Sequence, residues 1–398
     1  MKPTHIARLP LLLTVLVFVS SADLIAQVAE PAQATELQEA LQAKLAELQA
    51  ASGAPGVTAG VVLADGASFG LAAGMADTVE AIPMSAGGRL MQGSVGKTYV
   101  SAVAMQLVGE GRLDLDAKVS TYLGDEPWFE RLPNAADITV RQLMNHTSGI
   151  IRYEFDDRFI ADLLAQPDKV WDPVEQLAYL FDTEAPFAAG EGWDYSDTNY
   201  IILGLIIERL TGADYYDELR RRILVPLELS NTVPSDSRRV PGLVQGHAGA
   251  ENMFGLPDAV IENGQFAVNP GFEWTGGGIA STSEDLARWA KELYEGRAFD
   301  PSLLPVMLDG VAARLGRETQ YGLGVIIRRT PLGVSWGHSG FFPGYLTEMA
   351  YFPDHKIAVA VQYNSSDLPN LRISPGAVLM ELARLVVERK GAGEEGAR

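Results

Sequence analysis

The chain has 398 residues, a formal net charge of −20 and no cysteine. A chain this acidic repels nucleic acid and anionic lipid, so neither is an expected partner. The absence of cysteine excludes disulfides, thiolate metal sites and cysteine nucleophiles. The five histidines show no paired ligand spacing, so we expect no metal and no cofactor.

Residues 1–34 are predicted to be an export signal that is cleaved somewhere between residues 22 and 34. Lys2 and Arg8 form a basic start, and an apolar run from Leu9 to Val19 precedes small residues. The run is about half of the roughly 20 residues that a spanning helix needs, so a retained membrane anchor is the weaker alternative. We therefore expect a periplasmic or secreted protein with no stable membrane span, and we do not expect it to form oligomers.

The first folded elements are predicted to be a helix and a β-hairpin. Thr35 and Gln38 form a capping box, leucines follow at helical spacing, and Gly53 ends the pattern. Asp65-Gly66 then joins two segments of strand character, which is a hairpin signal. The predicted strands are Val57–Leu63 and Ser68–Gly74.

The middle of the chain has helical patterns separated by long loops, and the last part returns to strands. The predicted helices lie around 95–109, 138–144, 198–211 and 215–225. The predicted late strands are Tyr321–Arg328, Val334–Trp336, Tyr345–Phe352 and Ile357–Tyr363. A final helix is predicted from Ser374, with Pro375 in its first position, and a disordered tail over 391–398.

This order of elements predicts an α/β (α+β) architecture. The two ends of the chain, 35–90 and 276–390, are expected to build a sheet covered by helices. Residues 91–275 are expected to form a mostly helical insertion.

The segment Gly93-Ser94-Val95-Gly96-Lys97 is the first candidate for chemistry. Ser94 and Lys97 are three residues apart, so they share a face if a helix begins near Ser94. The residues that follow are apolar almost all round, which indicates a buried helix. Burial and the positive helix end would lower the pKa of Lys97 and favour a neutral amine that could act as a base. By itself the pattern is weak, since a serine N-cap with an extended lysine would look the same.

Two later clusters contain further candidates. Tyr195-Ser196-Asp197 precedes an apolar helix, and alone it reads as a helix start with Asp197 or Thr198 as the cap. Trp336-Gly337-His338-Ser339-Gly340 lies between two predicted strands, and alone it reads as the turn of a hairpin.

Taken together, the three clusters resemble the serine β-lactamase and penicillin-binding family. In order and spacing they are similar to the Ser-x-x-Lys, Tyr-x-Asn and Lys/His-x-Gly motifs of the class C β-lactamase, D-Ala-D-Ala carboxypeptidase and family VIII esterase branch. Asn145–Gly149, Gly276–Thr282 and Tyr321–Gly324 also match stretches of the family. The resemblance covers about residues 40 to 385 and implies a β-lactamase/DD-peptidase-like fold with an antiparallel sheet.

The resemblance also implies a role for each matching position. Ser94 would attack a carbonyl group and become acylated, while Lys97 and Tyr195 share the proton transfers. His338, with Ser339 and Gly340, would support substrate binding, by holding a carboxylate or relaying protons. The backbone N–H groups of Ser94 and Phe341 would form the oxyanion hole. His146 belongs to a motif that we expect to be structural.

Two positions depart from the family pattern. Asp197 replaces the usual Asn, and His338 replaces the lysine typical of true β-lactamases. Both departures favour a peptidase or esterase over an efficient β-lactamase. Asp197 either faces the site, where it would raise the pKa values of Lys97 and Tyr195, or points away and only caps the next helix.

The sequence therefore predicts an exported serine hydrolase that acts on D-amino-acid peptides, as a carboxypeptidase does, or on small esters. A weak β-lactamase is one alternative. A peptidoglycan- or peptide-binding protein that kept the fold and lost turnover is another, although Ser94, Lys97 and Tyr195 are all present.

Overall fold

The computed structural model describes the backbone of residues 21–396 and the side chains of residues 35–389. The basic start and the apolar run of the predicted export signal lie outside the described residues. Within the described part of the chain, no helix is long and apolar enough to cross a membrane.

Helices lie at both ends of the described chain and recur, separated by long loops, through its middle. The α-helices are α1 Ser21–Ser52, α2 Lys97–Gly109, α3 Ser120–Leu123, α4 Val140–Met144, α5 Asp157–Ala165, α6 Pro173–Leu177, α7 Thr198–Thr211, α8 Tyr215–Leu219, α9 Trp274–Gly277, α10 Ser283–Tyr294, α11 Leu304–Met307 and α12 Pro375–Gly396. A single turn of 3₁₀ helix, Gly93–Gly96, leads directly into α2. A π-helical turn, Arg220–Leu224, continues α8.

The strands concentrate near the two ends of the chain. They are β1 Gly56–Val62, β2 Ser68–Asp77, β3 Ile82–Pro83, β4 Leu90–Met91, β5 Val233–Pro234, β6 Ile261–Glu262, β7 Gln265–Phe266, β8 Ile279–Ser281, β9 Val311–Ala312, β10 Gln320–Tyr321, β11 Ile326–Thr330, β12 Gly333–Phe342, β13 Tyr345–Phe352 and β14 Ile357–Tyr363.

Among the described residues, nine strands form one antiparallel sheet in the order β3-β2-β1-β14-β13-β12-β11-β10-β9. The N-terminal hairpin β1–β2 is therefore joined to the C-terminal strands through β1 and β14. The sheet and its helices give the mixed α/β fold with a large antiparallel sheet that the resemblance implied, so the predicted fold class is confirmed.

The chain divides into two compact units, residues 1–40 and residues 41–398. The described part of the first unit, residues 21–40, is helical. The second unit contains both the sheet and the helical middle. The predicted boundaries of the helical insertion, at residues 91 and 275, remain a prediction about how this unit is layered.

Close packing against α10 fixes the position of α2. The rings of Tyr99 and Trp289 stack with centroids 4.2 Å apart, and the Trp289 indole donates to Thr98 Oγ1 at 2.8 Å. At Gly60 in β1, an added Cβ would lie 1.9 Å from the carbonyl oxygen of Ser283, so α10 approaches the sheet closely. These contacts hold the N-terminus of α2 rigidly against the sheet.

Several predicted boundaries are wrong. Helix α1 begins at Ser21 rather than Thr35, since the intervening segment is rich in residues that favour helix. The predicted disordered tail is helical as far as Gly396. Once a helix is established, each further residue whose conformation is fixed gains one hydrogen bond, so the helix extends readily. The predicted strand from Tyr321 to Arg328 is broken between β10 and β11.

The alternative interpretation of Trp336–Gly340 as the turn of a hairpin is also wrong. Residues 336–340 lie inside the ten-residue strand β12, paired with β11 on one side and β13 on the other. Small residues favoured a turn in the sequence, but here they allow other backbone segments to approach the strand. An added Cβ at Gly340 would lie 1.9 Å from the carbonyl oxygen of Gln92.

Candidate active site

Ser94 lies in the 3₁₀ turn that precedes α2, and glycines on both sides shape that turn. Gly93 has φ +50°, and an added Cβ there would lie 2.2 Å from the carbonyl oxygen of Phe341. An added Cβ at Gly96 would lie 2.7 Å from the Cα of Gly277. Only glycine fits these approaches, so the turn is held between β12 and α9 with Ser94 partly exposed.

Lys97 is fully buried beside Ser94, as the three-residue spacing predicts. Its Nζ donates to Ser94 Oγ at 3.2 Å and to the carbonyl oxygen of Gly276. It also forms an ion pair with Asp197 Oδ1. The three acceptors fix the ammonium group next to the serine hydroxyl.

Tyr195 and Asp197 precede α7 and approach the same point. The Tyr195 ring centroid lies 5.0 Å from Lys97 Nζ, and its buried hydroxyl has no hydrogen-bond partner among the described residues. Asp197 Oδ1 lies 3.5 Å from Ser94 Oγ. Asp197 occupies the N-cap position of α7, yet its side chain makes no capping bond. Of the two orientations considered for Asp197, the structure has the one that faces Ser94 and Lys97.

The second oxygen of Asp197 binds an arginine. Arg152 Nη2 lies 2.6 Å from Asp197 Oδ2, and Arg152 Nε donates to Glu154 Oε1 at 2.5 Å. Both carboxyl groups are buried, whereas about a third of the Arg152 side chain is exposed. Arg152 therefore closes the buried network on its solvent side.

These neighbours shift the pKa values of the buried groups in opposite directions. Burial lowers the pKa of Lys97, but the negative charges of Asp197 and its other neighbours outweigh burial, so the pKa of Lys97 is raised. Burial raises the pKa of Asp197, but Lys97 and Arg152 outweigh it and hold that pKa well below its usual value. Burial, opposed by Lys97 and reinforced by Asp197, raises the pKa of Tyr195 to about 12.

Two further acids adjoin this network. Burial, and next the charge of Asp197, raise the pKa of Glu154 well above its usual value. Burial and Asp197 also raise the pKa of Glu273 to about 7. Asp197 is therefore the acid of this group whose pKa is lowered, and it keeps its negative charge most firmly.

His338 lies on β12 and is almost completely buried. Its Nε2 is 2.8 Å from the hydroxyl of Tyr321, and its Nδ1 is 2.6 Å from the carbonyl oxygen of Ser339. Burial, followed by the charge of Lys97, lowers the pKa of His338 to about 3. The ring is thus neutral, with Nδ1 donating to the carbonyl and Nε2 accepting from the tyrosine.

Ser339 does not join the cluster around Ser94. Successive side chains of a strand point to opposite faces, and Ser339 lies on the face opposite His338. Its hydroxyl accepts from Arg328 at 2.8 Å, and Arg328 also pairs with Glu348 at 2.6 Å. Ser339 is therefore linked to a cross-strand ion pair that the sequence did not indicate.

Gly340 and Phe341 contact the Ser94 turn through the backbone. Gly340 packs on the carbonyl of Gln92, and Phe341 packs on Gly93, where an added Cβ would also lie 2.9 Å from the Phe341 nitrogen. The two segments predicted to supply the oxyanion hole, at Ser94 and Phe341, are therefore direct neighbours.

His146 supports Tyr195 from behind. Its ring centroid lies 4.2 Å from that of Tyr195, and its Nδ1 accepts from the backbone N–H of Ser196 and the amide of Asn199, both at 3.2 Å. Burial, then the charge of Lys97, lower the pKa of His146 well below its usual value. These contacts favour the structural role expected for this residue.

The sequence did not reveal Arg152, Glu154, Glu273 or Arg328 as site residues. Arg152 and Glu154 follow the Asn145–Gly149 motif, and Glu273 directly precedes the helix before the glycine turn. Proximity to a motif was the one signal available, since no local pattern tells which loop side chains turn inward.

Comparison with known proteins places the chain in a family. The sequence pattern of the Beta-lactamase family matches residues 41–380. Among curated proteins, the chain is 26% identical to penicillin-binding protein 4* of Bacillus subtilis (strain 168), 27% to a D-aminopeptidase of Cereibacter sphaeroides and 28% to esterase EstB of Burkholderia gladioli. The matches cover 71%, 86% and 69% of this chain and 62%, 62% and 70% of those proteins, so the chain spans about three fifths of the first two relatives.

Solved structures give the same result. The D-amino acid amidase from Ochrobactrum anthropi SV3, complexed with L-phenylalanine amide, superposes with a TM-score of 0.74 at 26% identity, covering 90% of this chain and 99% of that one. The octameric penicillin-binding protein homologue from Pyrococcus abyssi superposes with a TM-score of 0.72 at 25% identity, covering 88% and 77%. The family match spans most of the chain, which therefore belongs to the Beta-lactamase family.

Proposed function

We propose that this member of the Beta-lactamase family is a serine hydrolase that transfers an acyl group from its substrate to Ser94 and then to water. The observation that carries the proposal is the hydrogen bond of 3.2 Å between Lys97 Nζ and Ser94 Oγ, made by a lysine with no exposed surface. A serine needs a neighbouring base to become a nucleophile, and a buried, fixed lysine is such a base once it loses its proton.

In acylation, Ser94 Oγ attacks the substrate carbonyl carbon while its proton moves to Lys97 or Tyr195. The oxygen–carbon bond forms, and the negative charge on the carbonyl oxygen is stabilised by the backbone N–H groups of Ser94 and Phe341. The bond to the leaving amine or alcohol then breaks as that group takes the proton. Water repeats the sequence in deacylation and regenerates Ser94.

Tyr195 fits this cycle because its hydroxyl is buried and uncommitted. Its ring is held by His146 on one side and lies near Lys97 Nζ on the other, so the hydroxyl can pass a proton between Lys97 and the leaving group. Since the pKa values of Lys97 and Tyr195 are both raised, we expect activity to increase from neutral to alkaline pH.

We further propose that the substrates are D-amino-acid amides and peptides or small esters. Two relatives, called a D-aminopeptidase and an esterase, and one solved structure, called a D-amino acid amidase, support this class. His338 is neutral and bonded at both ring nitrogens, so it suits a proton relay through Tyr321 better than charge pairing.

We also propose that the protein is exported to the periplasm or medium, because its first 20 residues contain a basic start and an apolar run. Fractionation of cells that make the full chain tests it, and recovery with integral membrane proteins would instead indicate a retained anchor. The oligomeric state needs its own measurement, because one similar solved structure is called octameric.

The central test is covalent labelling. A fluorophosphonate should add to Ser94, as intact mass and peptide mapping would show, and Ser94→Ala should lose both the adduct and hydrolysis while keeping its thermal melting curve. An adduct on Ser196 or Ser339 would overturn the assignment. A panel of p-nitrophenyl esters, D-alanine amides, D-Ala-D-Ala peptides and nitrocefin then separates the esterase, peptidase and weak β-lactamase readings. Labelling with no turnover on the whole panel would favour a binding protein.

A further inference from the structure

Arg152 lies where the buried charged network meets solvent. Its guanidinium contacts two carboxyl groups, Oδ2 of Asp197 at 2.6 Å and Oε1 of Glu154 at 2.5 Å. Asp197 is 2% exposed and Glu154 is 3% exposed. An arginine that holds two buried carboxyl groups differs from a surface ion pair, because few waters are present to screen the charges.

The two oxygens of Asp197 therefore face two different cations. Oδ1 faces Lys97, and Oδ2 faces Arg152. The negative charge of the Asp197 carboxylate beside Lys97 would hold the proton on Lys97. A second cation on the far oxygen opposes that effect.

We propose that Arg152 is a positioning residue that shares the charge of Asp197 with Lys97, so that Lys97 can release its proton and act as the base for Ser94. The proposal rests on the proposed function, since it assigns Arg152 a part in the same proton transfer. Arg152 acts through Asp197 and not on the reacting atoms.

The other groups around Lys97 do not supply this compensation. The charged and titratable neighbours come from every element packed against it: Asp197, Tyr195 and Tyr200 at the start of α7, Glu273 before α9, His146 after α4, His338 on β12 and Arg152. Both histidines are neutral, because burial lowers their pKa values. The acids and phenols can only add negative charge, which leaves Arg152 as the compensating cation among these neighbours.

Two other roles for Arg152 give different results. Its guanidinium stacks 4.1 Å from the ring centroid of Phe155 and lies 5.5 Å from that of Tyr195, so it could merely hold the loop. Loss of that packing would lower the melting temperature without moving a pH profile. If Arg152 bound a substrate carboxylate directly, replacing it would raise KM for acidic substrates and leave the labelling rate unchanged.

The test measures the rate of fluorophosphonate labelling of Ser94 across pH in Arg152→Gln, Arg152→Lys and Arg158→Gln. Arg158 is a matched control, since it belongs to the same region and pairs with Asp156 at 2.6 Å on the exposed surface. We expect Arg152→Gln to move the acid limb up by about one pH unit and to slow labelling at neutral pH about tenfold. Arg152→Lys should keep most of the wild-type profile, and Arg158→Gln should match it.

The double variant Arg152→Gln/Asp197→Asn shows whether Arg152 acts through Asp197. Once the carboxylate is gone, removing Arg152 should change the labelling rate by less than about twofold relative to Asp197→Asn alone. Losses that simply multiply, or an acid limb that does not move in Arg152→Gln, would overturn the proposal. This pair also gives a result if Arg152→Gln alone folds poorly, because the double variant buries no unpaired carboxylate at residue 197.

Titration of the Lys97 amine by nitrogen NMR in the Ser94→Ala background supplies a readout that needs no turnover. The midpoint should rise when Arg152 becomes Gln. A raised midpoint without any effect on labelling would contradict the proposed function of Lys97 while leaving the charge sharing intact. An unchanged midpoint would contradict the charge sharing itself.

Discussion

Two groups of polar side chains border the Ser94 turn, and they handle burial differently. On the α2–α7 side, Lys97, Asp197 and Arg152 remain charged, and Asp197 forms an ion pair with each of the two cations. On the β12 side, His338 and Tyr321 are equally buried but neutral, and a hydrogen bond joins them. We refer to these as the charged side and the neutral side.

The difference shows what each side can contribute. A buried charge persists only where a partner compensates its loss of hydration, so every change on the charged side alters the pKa of its neighbours. A neutral hydrogen-bonded pair carries no charge, so a change in it shifts the pKa values of its neighbours little. Proton transfer at Ser94 should therefore depend steeply on the charged side and weakly on the neutral side.

The largest expected effect comes from removing the proposed proton carriers of the charged side. Lys97→Ala and Tyr195→Phe should each lower kcat by about 10²–10⁴-fold, with a smaller effect on KM, because positioned proton transfer contributes this much. The losses should not add in the double variant, since the two groups act as one unit. Steady-state kinetics on any accepted substrate checks this, and fully additive losses would show that the two residues work independently.

The charged side was also the harder one to predict from sequence. Ser94, Lys97 and Tyr195 are carried by local motifs, and the strands β13 and β14 were predicted with the bounds that the structure shows. Arg152, Glu154 and Glu273 reach the site from loops, whose side-chain directions depend on long-range packing rather than on a local period. Those long-range contacts are absent from any window of sequence.

On the neutral side, the motif residues were found but their surroundings were not. The family resemblance assigned His338, Ser339 and Gly340 to one substrate-binding group, while the small residues by themselves suggested the turn of a hairpin. Inside a strand, the period of two separates them, so that His338 faces Tyr321 and Ser339 faces Arg328. The strand itself could be recognised only from its pairing with β11 and β13.

A backbone change next to the neutral side should have the second largest effect. At Gly340, an added Cβ would lie 1.9 Å from the carbonyl oxygen of Gln92, so Gly340→Ala must push β12 away from the Ser94 turn. Displacement of this order costs about 10²-fold in rate, because the oxyanion donors lose their geometry. The kcat of the folded variant checks this. Gly87→Ala, where the added Cβ would lie 3.8 Å from its nearest neighbour, Ser85 Oγ, is the control that should keep activity.

The charge of Asp197 should produce a shift in pH dependence rather than a large loss. Since the carboxylate raises the pKa of Lys97, Asp197→Asn should lower that pKa and move the acid limb of kcat/KM down by about 1–3 pH units. Acceptance of amides or lactams should broaden, as the substrate panel would show. Superimposable pH profiles of the two proteins would mean that the carboxylate does not control the base.

The smallest effect is expected at His338, and it offers the most direct comparison of the two sides. Because burial holds the pKa of His338 at about 3, the ring stays neutral throughout the range in which an ordinary histidine titrates. His338→Gln keeps a group that can accept from Tyr321, so kcat should fall by less than about tenfold, below the effect of losing a proton carrier. The pH profile between 5 and 8 should keep its shape, because no charge on His338 is gained or lost there. A limb near pH 6–7 that disappears in His338→Gln would show instead that the histidine becomes charged during turnover, and the neutral side would then take part in proton transfer as directly as the charged side does.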